Sequence, residues 1–301
     1  MGTSVQVHVQ SEHVYLVPPG ENKCVLMTAG LVAYKLCNRG YDCEHCPFYQ
    51  AFREGCVSEQ CPEDVRQHGL YLRLNLSREI TRAGLDDPRL ATLLKPYEHV
   101  TLRRRLFYAP GHAWVEIRTL NQARIGADDF LALALPRIDG IIPPEKGQRV
   151  ERGKPLVWFI VHGEMLPLLS PLAGTIIKTN AKVLTNPSLL QRDPYGDGWL
   201  VEIESADLPA ATRGLEYDED SAVLFRQDAE NLFSELAAAL TGREALVGIV
   251  SQDGGQPAAT PVEALGAKRY ARIFRKVLER SAARLRESGS SGSNSGKGQE
   301  P

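Results

Sequence analysis

The sequence predicts a mostly β fold, preceded by a cysteine-rich unit and followed by helices, α+β as a whole. Three observations carry this. Between about residues 98 and 208, short apolar runs alternate with turn residues at close spacing, as in an all-β sandwich. After residue 215 the apolar period lengthens to that of an α-helix. All six cysteines fall between Cys24 and Cys61. The 301 residues suit about two domains. With 43% hydrophobic and 24% charged residues, wholesale disorder is excluded.

Residues 1–20 alternate apolar and polar side chains, as in SVQVHVQ, and read as short strands. They lack the basic start and apolar block of a secretory signal. No apolar run reaches the roughly 18 residues of a membrane span. A cytoplasmic protein without a membrane span is therefore expected. The net charge of -2, from 35 basic and 37 acidic side chains, argues against a nucleic-acid partner.

Residues 21–62 form the cysteine-rich segment. Cys24, Cys37, Cys43 and Cys46 read C-x12-C-x5-C-x2-C. In a reducing compartment clustered thiols are not expected to form disulfides. A tight turn between Cys43 and Cys46 points two sulfurs at one centre, and four thiolates complete a tetrahedral zinc site or ligate an iron–sulfur cluster. Only one C-x2-C knuckle is present, and Pro47 follows Cys46, which tilts the spacing toward iron–sulfur. Small buried hydrophobes are the plainer reading of the same residues. Cys56 and Cys61 are further ligands or spare thiols, and His45 reads as a solvated turn residue or a substitute ligand.

Residues 63–97 are a connector, with a strand at 70–76 and a short helix at 87–95. Strands follow at 99–108, 113–119, 121–126, 137–142, 156–162, 164–169, 173–180 and 199–204. Arg103, Arg104 and Arg105 read as a strand edge blunted by charge. The C-terminal region, 215–286, holds an amphipathic helix from Asp218 to Leu240 and a long basic one from Pro261 to Arg286. In the second, Tyr270, Ile273, Phe274, Val277, Leu278 and Leu285 form an apolar stripe. Its other face, with Lys268, Arg269, Arg272, Arg275, Lys276, Arg280 and Arg284, is a solvated back or a dock for a partner. Residues 287–301 are a low-complexity tail.

The stretch from Phe107 to Asp207 resembles the H protein of the glycine cleavage system. The resemblance rests on His112-Ala113-Trp114-Val115, Ala123-Arg124-Ile125-Gly126, Gly147 to Pro155, Leu169 to Gly174, and Asn186 to Leu200. It implies the lipoyl/biotinyl-type β-sandwich, a barrel-sandwich hybrid, with short helices near 128–134 and 187–191. Asp128 and Asp129 would start the first of these helices, where acids favour the macrodipole. His112 and Trp114 read as scaffold. Gly153, Gly174, Gly196 and Gly198 read as turns or bulges suited to positive φ.

That family carries lipoate on a lysine at a hairpin tip, seven residues before the serine equivalent to Ser170. Counting back lands on Gly163, and residues 155–177 contain no lysine. Gly163 is thus the expected equivalent of the modified position, not modifiable, and no lipoate is expected. His162 beside it reads as an exposed tip residue. No Ser/His/Asp order, phosphate loop or H-E-x-x-H stands in the chain, so no catalysis is expected. Three functions remain: an adaptor for an unspecified protein partner, with a Cys-bound metal; an iron–sulfur redox or sensor protein; and, least favoured, a lipoyl carrier.

Overall fold

The computed structural model describes residues 22–28, 36–50, 71–85, 90, 93–135, 137–240 and 260–290. The strands expected in 1–20, Cys56, Cys61, the run 245–251 and the tail beyond 290 lie outside the described residues.

The thiol head contains β1 (Asn22–Lys23), α1 (Val25–Thr28) and β2 (Leu36–Cys37). Next come β3 (Tyr71–Asn75), α2 (Ser77–Arg82) and β4 (His99–Arg103). The sandwich follows with β5 (Phe107–Ala109), β6 (Ala113–Ile117), β7 (Gln122–Ala127), α3 (Asp129–Ala134), β8 (Gly140–Ile142) and β9 (Arg149–Val150). It continues through β10 (Pro155–Val161), β11 (Glu164–Leu169), β12 (Gly174–Thr179), α4 (Ala181–Thr185), α5 (Ser188–Arg192) and β13 (Val201–Glu204). Last are α6 (Leu208–Ala211), β14 (Glu216–Tyr217), α7 (Ala222–Leu240), α8 (Pro261–Leu265) and α9 (Ala267–Ser290).

Two antiparallel sheets make the sandwich. One has seven strands in the order β14-β5-β6-β7-β13-β12-β9, and the other three, β11-β10-β8. Strand β3 pairs with β4 from Tyr71↔Arg103 to Asn75↔His99. The core centres on Trp114, whose ring is fully buried and whose Nε1–H donates to the Ala127 and Pro194 carbonyls at 2.9 and 3.1 Å. Tyr108, Tyr195 and Phe225 surround it, with Tyr108 and Phe225 edge to face at 5.5 Å.

Helix α7 buries Phe225, Ala229, Leu232, Phe233, Leu236 and Leu240. Helix α9 buries the stripe read from its sequence, Tyr270 to Leu285. Each fully buried Leu or Phe contributes on the order of 1.5–3 kcal/mol. The Tyr270 hydroxyl meets that of Tyr97 at 3.0 Å, tying α9 to the turn before β4. No helix among the described residues is long and apolar enough to cross a membrane.

Several elements differ from the sequence reading for local reasons. The strand expected over 99–108 divides, because Arg105 turns back with φ 68°. The Tyr108 hydroxyl closes that turn, accepting the Arg103 N–H at 2.9 Å and donating to its carbonyl at 2.7 Å. Arg103 and Arg104 are not a bare charged edge: Arg103 pairs with Glu116 at 3.1 Å and Arg104 pairs with Glu219. The long helix breaks at Gly266 (φ 78°) into α8 and α9, and α9 continues past Arg286 to Ser290. Among the four glycines read as turns, only Gly153 has positive φ. Gly174 and Gly198 are required by contact instead, since a Cβ would lie 2.3 Å from the Glu204 carbonyl oxygen and 2.6 Å from that of Asp193.

Candidate functional site

The hairpin of β10 and β11 is in register from Val157↔Leu168 to Val161↔Glu164, with a bulge between Pro155 and Val157, and His162 and Gly163 form a two-residue turn. Both have left-handed backbones, φ 49° and 78°, as in the type I′ turn that suits strand twist. A histidine is strained in that conformation. Asp139 holds it there, its carboxylate accepting the His162 N–H at 2.7 Å. A Cβ on Gly163 would meet nothing within 4 Å, so this position faces open space.

His162 is half-buried, not exposed as its place at a tip suggested. It lines a cleft with Leu265, Lys268, Arg269 and Arg272, where α9 begins. Arg275 on α9 donates to the Glu164 carboxylate at 2.5 Å and, more weakly, to the Met165 carbonyl at 3.4 Å. The C-terminal helix is thereby fixed along the tip of the hairpin. The flanking lysines lie elsewhere: Lys154 in the turn before β10, and Lys178 in β12 with its amine 5.5 Å from the centre of the Trp199 ring.

In the head, Cys24, Cys37, Cys43 and Cys46 line one small cavity with Arg39, Asp42 and Tyr49. Pairing of Asn22 with Cys37 brings the first two cysteines together across their long spacing. The chain then reverses through Gly40 and Tyr41, both at positive φ. The Cys46 N–H reaches the Cys43 carbonyl at 3.2 Å, and a helical turn follows at residues 47–50. The Tyr41 N–H donates to the Cys37 sulfur at 3.3 Å. All four thiols are free. Partial desolvation, then the neighbouring Cys24, Cys46 and Cys37, raise the Cys43 thiol above its ordinary value.

The arrangement falls short of a closed centre. Among the described residues, no three His, Cys, Asp or Glu side chains form a metal-ligating group. His45 turns outward: its ring is 2.9 Å from the Asp42 carboxylate and its side chain is 78% exposed.

A third cluster is buried between the sandwich and the C-terminal helices. His112 follows Gly111 in the β5–β6 turn, with φ 68°. Its Nδ1 lies 3.0 Å from the Asp128 carboxylate, which also caps α3 by accepting the Leu131 N–H. Its Nε2 lies 3.4 Å from Asp228 on α7, an ion-pair distance too long for a good hydrogen bond. Arg284 donates to both Asp228 oxygens at 2.6 and 2.5 Å. Ser281 donates to Asp228 at 2.7 Å and accepts the Gly111 N–H at 2.7 Å. Burial disfavours a charge on His112, but Asp128 and Asp228 outweigh it and push its pKa up to about 10. Two cations and two carboxylates balance, and only Arg284 keeps part of its side chain, 25%, in water.

Comparison with known proteins fits this geometry. The family model of the glycine cleavage H-protein matches residues 106–227. A glycine cleavage system H protein from Bifidobacterium longum is 39% identical over 102 residues, covering 34% of this chain and 74% of that protein. The chain belongs to the glycine cleavage H-protein family. An H protein from Bacteroides thetaiotaomicron is 31% identical over 121 residues, 40% of this chain and 95% of that one. A crystal structure of an H protein from Mycobacterium marinum has 22% identity and a TM-score of 0.35, covering 39% of this chain and 94% of that chain.

The H-protein match takes in the hairpin, His112 and Asp128. It ends one residue before Asp228 and leaves out both the thiol head and α9. Sequence reading named the four cysteines, which the fold gathers, and Gly163, which it places at an open turn. It missed Asp228 and Ser281, and it read Arg284 as part of the solvated or docking face rather than as the partner of Asp228. A signal was present: Asp228 interrupts the apolar stripe Phe225, Ala229, Leu232, and Ser281 interrupts Val277, Leu278, Leu285. A polar residue inside a buried stripe calls for a partner.

Proposed function

We propose that this H-protein-like chain works as a non-catalytic binding module that lacks the lipoyl arm and carries a metal centre in its thiol head. The observation behind the first half is the apex of the β10–β11 hairpin. The position expected to carry the modified lysine is Gly163, no lysine stands between 155 and 177, and α9 is ion-paired to the hairpin at Glu164. A swinging arm needs an amine at the tip; this tip has none, and the residue beside it, Glu164, is ion-paired to α9.

The second half is supported by four free thiols that line one cavity, although the described residues do not draw three of them into a ligating group. Cys24, Cys37, Cys43 and Cys46 would hold the metal. Zinc there supplies a crosslink that orders the head, and an iron–sulfur cluster supplies one-electron transfer. The all-sulfur donor set also favours a second reading, an iron–sulfur redox or sensor protein.

Intact mass after coexpression with a lipoate ligase tests the arm: no lipoyl increment is expected, and its appearance overturns the proposal. Metal analysis of anaerobically purified protein tests the head. A bound metal is expected, colourless with zinc or brown with iron and sulfide, and lost in the Cys43→Ala, Cys46→Ala double variant. A metal-free wild type, or unchanged metal in the variant, removes the second half.

A further inference from the structure

The basic face of α9 is used unevenly. Towards its middle and end the cations are matched: Arg275 to Glu164, Lys276 and Arg280 to Glu235, Arg284 to Asp228. In the first turns, Lys268, Arg269 and Arg272 are exposed and no carboxylate of the described residues pairs with them. Cations at a helix N-terminus oppose the macrodipole, where carboxylates would be stabilising. Three of them together is an arrangement the helix gains nothing from in isolation.

These cations border an apolar surface. In the three-stranded sheet, Trp158 is opposite Ile142 on one side and Pro167 on the other, and Ile160 is opposite Met165. Side chains opposite one another share a face. The alternate residues Val157, Phe159 and Val161 point into the core, so Trp158, Ile160, Ile142 and Met165 point out. Ile142 is 43% and Met165 44% exposed. His162, the turn residue directly after β10, lines the cleft with the three cations. The outward sheet face and the cationic helix end therefore meet at the hairpin tip.

We propose that this composite surface docks an amphipathic segment of a partner protein, its apolar side chains on Trp158, Ile160, Ile142 and Met165 and its carboxylates on Lys268, Arg269 and Arg272. A nucleic acid or a free phosphate would satisfy the cations and leave the apolar face wet. A purely apolar partner would bury three cations without counter-charges. A segment carrying both kinds of group satisfies the surface. The inference rests on the binding-module reading and names the chemistry of its partner. The helix that supplies the cations lies outside the part of the chain matched by the H-protein family.

The test uses the full chain and a pair of synthetic helical peptides, one with a leucine stripe flanked by glutamates, the other with lysine at each glutamate. Calorimetry and tryptophan emission follow binding. The glutamate peptide is expected to bind, more weakly as salt rises, and the lysine twin at least tenfold more weakly. The triple variant Lys268→Glu, Arg269→Glu, Arg272→Glu is expected to lose at least tenfold, as is Met165→Asp. Lys146→Glu, an exposed lysine before β9, is expected to change nothing.

Equal binding of both peptides, or an unaltered triple variant with wild-type circular dichroism, overturns the proposal. Triple-variant-sensitive binding of heparin or phosphatidylserine vesicles, with no binding of the glutamate peptide, overturns it in favour of a polyanion or membrane. Charge-dependent self-association in sedimentation overturns it in favour of a second copy. A lipoyl increment would sink the binding-module reading, and a metal-free head only its metal half, while both leave these affinities as measured, so the failures are distinguishable.

Discussion

In the seven-stranded sheet, β6 is covered on both faces except at Glu116: Ala113, Trp114, Val115 and Ile117 are each at most 4% exposed, while Glu116 keeps 15% of its side chain open beside Arg103. In the three-stranded sheet, β10 alternates, with Val157, Phe159 and Val161 buried and Trp158 and Ile160 only half covered. Helix α7 brings Phe225 against Tyr108 of β5 and His112 of the β5–β6 turn, and α9 lies behind it with Ser281 on Asp228. The cover over β10 stops at its inner face. A strand covered on both faces leaves the polar groups beside it to find partners inside the protein, and the His112–Asp128–Asp228–Arg284 cluster supplies most of them, although His112 Nε2 and Arg284 Nε make no hydrogen bond. A singly covered sheet tolerates partly exposed ion pairs such as Glu164 of β11 with Arg275 of α9. Demand on the side chains therefore rises from the hairpin sheet to the Trp114 sheet.

The largest expected effect sharpens that contrast. Asp228→Ala leaves His112 and Arg284 facing each other without the carboxylate between them, and should destabilise the chain by about 3–5 kcal/mol. Urea unfolding measures this; a loss below about 1 kcal/mol would mean the buried side is no more demanding than the open one.

Next is pH. His112 has a folded pKa raised to about 10, against an unfolded value near 6.5. Its stabilisation is thus complete below about pH 6.5 and is lost as pH rises through about 10. Thermal midpoints should fall across that window, and Asp228→Asn should flatten the slope; a flat wild-type profile would show that His112 is folded neutral.

A smaller effect is expected at Gly126, where an added Cβ would sit 2.4 Å from the Trp114 ring. Gly126→Ala should cost roughly 1–3 kcal/mol by overpacking, read from the same unfolding curves. On the open side, Arg275→Gln removes a partly exposed ion pair and should cost less than about 1 kcal/mol. Faster amide exchange at residues 162–164, without a change in global stability, is its expected signature. A loss as large as that of Asp228→Ala would erase the distinction between the sheets.

Much of the sandwich was legible because its signals are local. The strand expected at 164–169 forms over those residues, and the helix expected near 128–134 begins at Asp128 with the carboxylate as cap. The breaks were less legible. Gly266 sits inside an apolar period that continues on both sides of it, so the period alone concealed the break that its positive φ makes. The glycines of the Asn186–Leu200 block looked like turn residues, yet Gly198 is set by the approach of the Asp193 carbonyl, a contact that no local rule contains.

The sequence by itself determined the alternation of the strands, the apolar stripes of α7 and α9, the clustering of the cysteines and the absence of lysine between 155 and 177. Each is a matter of residue type and spacing along one segment. The tertiary structure alone decided that Asp228 reaches His112 from 116 positions further along the chain and Arg284 reaches Asp228 from 56, as their numbers give, and that α9 lies against the hairpin tip. Those contacts join segments whose separate patterns carry no record of each other. Burial made them necessary, since a charge enclosed between a sheet and two helices is stable only where an opposite charge comes from another element.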